Sequence, residues 1–143
     1  MHLVELFGRI FISALFLIEA VRKFFNPDMS MMYMSEYGVP EFLFYPSLAV
    51  EFFLPLLLIA GFKTKIVATL LGIFVLAVTL IFHTDLSNNM QMIAFLKNLS
   101  ILGVLLIIIS NKPQICSFDY YLENKKYIIS LFYQKPLKLP LLL

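Results

Sequence analysis

"EFLFYPSLAVEFFLPLLLIAGFKTKIVATLLGIFVLAVTLIF", residues 41–82, decides the fold. Two apolar runs, Phe42 to Phe62 and Ile66 to Phe82, flank a short break carrying Gly61, Lys63 and Lys65. A helix needs about 20 mostly apolar residues to cross the hydrocarbon of a bilayer, and each run comes close to that length. The break has the glycine and the basic residues expected where one helix stops and the next turns back. The stretch therefore reads as an antiparallel pair of membrane helices.

Two similar runs lie outside it, Leu3 to Val21 and Met92 to Ile109, bounded by "FNPD" and "HTDLSNN". With 61% hydrophobic residues among 143 and no Trp, the composition is that of a membrane protein. The expected fold is an all-α membrane protein, a bundle of four transmembrane helices. Residues 1–110 form that membrane domain and 111–143 a basic, aromatic tail, cytoplasmic or interfacial. The first run carries Glu5, Arg9 and Glu19 and lacks a small-residue cleavage site, so it reads as a helix of the mature chain rather than a secretory signal.

Loop charge sets the expected orientation. Four crossings put the amino terminus, the second loop and the tail on one side, which collects Lys63, Lys65, Lys112, Lys125, Lys126, Lys135 and Lys138. The other side has Arg22 and Lys23 against Asp28, Glu36, Glu41 and Asp85. The positive-inside rule makes both termini cytoplasmic. The net charge of +2 then calls for anionic lipid rather than nucleic acid as partner. In the first outer loop, "NPDMSMMYMSEYG" predicts a short interfacial helix, capped by Asn26, opened by Pro27 and ended by Gly38. Its methionines suit an adaptable apolar face better than copper, since no Cys or His stands beside them.

Several chemistries lack their residues. Cys116 is the sole cysteine, so the chain has no internal dithiol. His2 and His83 fall on opposite sides, and no spacing suggests a metal site.

What remains is charge inside helices, which costs a few kcal/mol at the bilayer centre on insertion scales and so needs a partner, water or a role. Glu5 stands four residues before Arg9, and Glu19 three and four before Arg22 and Lys23, which reads as structural ion pairs within one helix. Glu51 and Lys97 have no such neighbour. At about 1.5 Å per residue, Lys97 lies about 7 to 10 Å inside the outer end of its helix and Glu51 about 13 Å inside its own. The expectation is that they meet. Pro55 cannot donate to the Glu51 carbonyl, so a free acceptor should stand beside the acid, and Asn98 should join the group. The pocket either holds the bundle together or does chemistry. His83 either caps its helix or carries protons at the pocket mouth.

These features resemble the DoxX family of small four-helix bacterial membrane proteins over roughly residues 5 to 110. The carriers are "GRIFISALFLIEAVRKFFNP", "YGVP", "AVEFFLPLLLIAGFKTK", "FH" at Phe82 and His83, and "QMIAFLKNLSILG". The chain departs from the family's usual glycines at Glu19, Phe53 and Pro55. The resemblance implies an inner-membrane bundle associated with quinone-linked oxidoreductases or larger membrane redox assemblies. It would make Glu51 and Lys97 the reactive pair and His83, Asn98 and Gln91 the groups contacting a quinone, with no covalent cofactor and no metal. The alternative is an accessory or scaffold subunit of a membrane complex. It draws on the tail, where "YIISLFY", residues 127–133, is too short to span but suited to an interface or a partner protein.

Overall fold

The structure, a computed structural model, describes residues 2–111 and 117–134, with side chains described over 4–111 and 117–126. Cys116, Lys112 and the lysines at 135 and 138 lie outside the described residues. The described chain is helical, in the order α1 (His2–Phe25), α2 (Pro27–Glu36), a 3₁₀ turn (Glu41–Leu43), α3 (Phe44–Ala60), α4 (Thr64–Phe82), α5 (Asn89–Ser110) and α6 (Phe118–Gln134). The protein is a membrane protein whose described residues form helices and no strands. Three stretches, Glu41–Ala60, Thr64–Phe82 and Asn89–Ser110, are long and apolar enough to cross a bilayer. α1 is longer than any of them, but its charged residues set it apart.

Helix α1 packs on α3, α3 on α4 and α4 on α5, each pair running antiparallel. Buried residues recur with helical spacing on each: Ile12 and Phe16 on α1, Glu51, Pro55 and Leu58 on α3, Ala68, Leu71 and Val75 on α4, Ile101 and Leu105 on α5. In lipid the hydrophobic effect does not pull helices together, and close van der Waals packing does, helped by small residues. Ser13, Ala20 and Ala68 are accordingly almost fully buried. Gly72, one turn after Ala68, turns toward Leu102 of α5. The outward faces keep Phe53, Ile73 and Leu106 exposed, as lipid-facing surfaces do.

Local chemistry explains where the helices stop. α2 ends in a paired turn: Val39 N–H donates to Met34 O and Gly38 N–H to Ser35 O, with Gly38 at φ +70°. α3 ends the same way, Phe62 N–H on Leu57 O and Gly61 N–H on Leu58 O, with Gly61 at φ +68°. Asn26 precedes α2, but its side chain does not cap that helix. It turns back instead, its amide donating at 3.1 Å to Arg22 O, which also accepts the Asn26 backbone N–H at the end of α1.

Gly61 is also where the tail returns. A Cβ there would meet the Arg9 guanidinium and lie 2.8 Å from Ser117 Cα, so Gly61 is required by space as well as by conformation. Asp119 N–H donates to Gly61 O at 2.9 Å. Its carboxylate accepts from the N–H groups of Lys63 and Thr64, both at 2.6 Å, and from the Thr64 hydroxyl at 2.7 Å. The N-terminus of α4 is thus capped from α6, where orphan amides and the helix dipole both favour a carboxylate. Gly61→Ala should therefore lower the unfolding temperature in detergent by the equivalent of about 1 kcal/mol or more, while Gly8→Ala, whose new methyl meets nothing, should leave it equal or higher. Asp119→Ala should cost about 1–2 kcal/mol in the same assay.

Candidate functional site

Three buried polar residues, Glu51, Thr79 and Asn98, lie toward the end that holds His83, while Arg9 and Ser117 lie at the Gly61 end. Glu51 sits about 11 Å into α3 from Phe44 and is 5% exposed. Lys23, in the last turn of α1, donates to its Oε1 at 2.6 Å, with the lysine side chain 29% exposed. The partner of Glu51 is therefore Lys23 and not Lys97. Depth along the axis suits both lysines, but helix rotation does not: Asn98 points inward and its neighbour Lys97, about 100° further round, is exposed on the outer face. Among the described residues no carboxylate pairs with Lys97. Glu51 Oε2 is buried and has no hydrogen-bond partner among the described residues. α3 continues through the fully buried Pro55.

The other charges of α1 rearrange accordingly. With Lys23 turned to α3, Glu19 keeps only Arg22, at 3.9 Å and largely in the open, a contact worth at most about 1 kcal/mol. Arg9 is 5% exposed and packs beside Gly61, with Glu5 a turn earlier lining the same cavity.

Asn98 is buried where α5 faces α4. Its amide donates to Thr79 Oγ at 3.0 Å, and the Thr79 hydroxyl donates to Val75 O at 2.6 Å. One turn beyond, His83 ends α4, its N–H on Thr79 O at 3.0 Å, so it does occupy the cap position. Its Nδ1 meets Gln91 Oε1 at 2.8 Å, and Gln91 Nε2 donates to the Tyr37 hydroxyl at 2.9 Å. Because Gln91 Oε1 can only accept, Nδ1 is the donor in this contact. Tyr33 and Tyr37 pack on Phe82 with centroids 5.5 and 5.2 Å away, so α2 is held over the end of α4 by rings as well as by this chain. Partial burial, and then the hydrogen bond with Tyr37, push the Tyr33 phenol above its ordinary value.

The structure thus joins His83 to Gln91 and Asn98 to Thr79, and separates Lys97 from both. Tyr37, Thr79, Lys23 and Asp119 are contributors that sequence reasoning did not name as site residues or, for Lys23, assigned to another partner. A signal existed for Lys23, a basic residue in the last turn of a helix whose charges needed partners, although Glu19 four residues earlier offered a nearer one. Asp119 had no signal in its own neighbourhood. Among the described residues no group of three or more His, Cys, Asp or Glu could hold a metal ion.

With this geometry in place, the comparison with known proteins is informative. The family model for DoxX matches residues 4–84. The chain belongs to the DoxX family. It is also similar to the inner membrane protein YqjF of Escherichia coli (strain K12), at 30% identity over 120 residues, 84% of this chain and 92% of the relative. No solved structure matches. The family match takes in α1 through α4, and so both members of the Lys23–Glu51 pair, and stops before α5.

Removing one member of a buried pair leaves the other charge uncompensated, which costs about 3–5 kcal/mol in dry interiors and less where one partner is partly wet. Lys23→Met should accordingly destabilise the bundle by about 2–3 kcal/mol, and adding Glu51→Gln should recover most of the loss. Lys97→Met should leave the isolated chain unchanged within about 0.5 kcal/mol, as a substitution on an outward face does. Thermal unfolding in detergent reads all three.

Proposed function

We propose that this DoxX-family chain is an integral subunit of a quinone-linked redox assembly in the inner membrane, contributing a quinone or quinol contact at the His83 end. One observation carries the reading: a buried carboxylate, Glu51, with one oxygen held by Lys23 and the other without a hydrogen-bond partner among the described residues. Intramembrane ionisable groups of this kind mark proton and substrate paths by default. Interconversion of quinone and quinol moves two protons and two electrons. Glu51 would take or give a proton through its second oxygen, while Tyr37, Gln91 and His83 offer hydrogen-bonding groups at the same end. The electrons would come from, or go to, a flavin, haem or metal centre of a partner subunit.

The topology proposed with it has four crossings and both termini in the cytoplasm. α1 meets α3 at two levels, through Lys23 with Glu51 near the middle of α3 and through Arg9 beside Gly61 at its end, which supports counting α1 as a crossing. The Gly61 end bears Lys63, Lys65, Lys125 and Lys126, which supports its placement inside. The relative in E. coli is named as an inner membrane protein, which supports the compartment.

Lys97 favours the second reading, an accessory or scaffold subunit. It stands about 12 Å into α5 on an outward face with Ile93 and Leu96, where lipid offers it no counter-charge. A carboxylate on a neighbouring transmembrane helix would supply one. A short-chain ubiquinone analogue should raise the unfolding temperature of the purified assembly, and Glu51→Gln should abolish that shift. Co-purification with a non-redox complex, and no quinone-dependent shift, would leave the accessory role alone standing.

A further inference from the structure

At the Gly61 end a cavity of about 1000 Å³ opens between α1, α4, α5 and α6. It lies far from the Lys23–Glu51 pair, and its walls are of two kinds. Val4 and Gly8 of α1 face Val104, Ile107 and Ile108 of α5 across an apolar seam. These two helices are not among the closely packed pairs of the bundle, and a Cβ added to Gly8 would meet nothing within 4 Å. The rim is basic, with Lys63 and Lys65 from the start of α4 and Lys125 and Lys126 from α6. Arg9, 5% exposed, reaches the wall between seam and rim.

Three carboxylates also line the space, Glu5, Asp119 and Glu123. Asp119 is already bound to the amides of Lys63 and Thr64, so its charge is directed into the fold. The four rim lysines therefore outweigh the two carboxylates that remain, Glu5 and Glu123. An open apolar slot that leads up to a basic rim matches one chemistry: an anionic headgroup continuous with an acyl chain. A soluble anion would use the rim and leave the seam empty. A neutral lipid would fill the seam and gain nothing from the lysines.

We propose that this cavity is a binding site for one anionic phospholipid, the phosphate on Lys63, Lys65, Lys125 and Lys126 and an acyl chain between α1 and α5. The lipid would close the loose α1–α5 seam and dock α6 on the bundle. Polybasic segments gain affinity for anionic headgroups with each Lys or Arg near the surface. The seam adds apolar burial that such a surface contact lacks.

The test is native mass spectrometry of the full chain in a neutral detergent with phosphatidylglycerol, phosphatidylcholine or inorganic phosphate added. Phosphatidylglycerol should be retained as a single adduct in preference to phosphatidylcholine. The double variant Lys125→Gln/Lys126→Gln should lose roughly tenfold or more in affinity. Gly8→Leu, which places a side chain in the seam, should also displace the lipid while the lipid-free unfolding temperature holds or rises. Equal retention of both lipids, retention unaffected by Gly8→Leu, or full competition by inorganic phosphate would each overturn the proposal.

Discussion

A carboxylate seated in an apolar helix must find a counter-charge, and the way Glu51 does so governs the arrangement of this bundle. Its partner, Lys23, is on α1, so the pair ties the most polar of the long helices to α3. Without that contact α1 would carry unpaired charge against lipid-facing neighbours. With it, the charge density that sets α1 apart from the three plainly apolar helices becomes a reason for its position. The same pairing takes Lys23 away from Glu19, which is why Glu19 makes only a long, exposed contact with Arg22.

The opposite end is fastened by different chemistry. Gly61 turns left-handed to end α3, leaves room for Arg9 and Ser117, and gives its carbonyl to Asp119. Asp119 then caps α4. One helix end, one buried cation and the returning tail therefore depend on a single residue without a side chain. The two ends also differ in character. The His83 end holds the hydrogen-bonded chain of His83, Gln91 and Tyr37, packed with Tyr33 and Phe82, while the Gly61 end is rimmed by lysines around a cavity.

Much of the fold was legible in the sequence because its signals are local. Apolar run length, the glycines at 38 and 61 and Pro27 mark element boundaries within a few residues, and each acts through its own backbone. The site was less legible because it depends on rotation about helix axes and on contacts between distant segments. Axial depth suggested Lys97 for Glu51, yet a single residue step turns a side chain from the core to the outside, as Asn98 and Lys97 illustrate. Asp119 lies 55 residues from Thr64, whose hydroxyl and amide it binds, and no pattern near either residue announces the contact. His83 was readable as a helix end, whereas its link to Gln91 needed the α4–α5 turn to be known.

The central claim is that Glu51 is held by Lys23, and exchanging the charges tests it most directly. Lys23→Glu alone should impair folded yield in native membranes, and combining it with Glu51→Lys should restore it, because the pair is re-formed in reverse. Lys97→Glu combined with Glu51→Lys should give no rescue. Rescue through position 97 and none through position 23 would contradict the account.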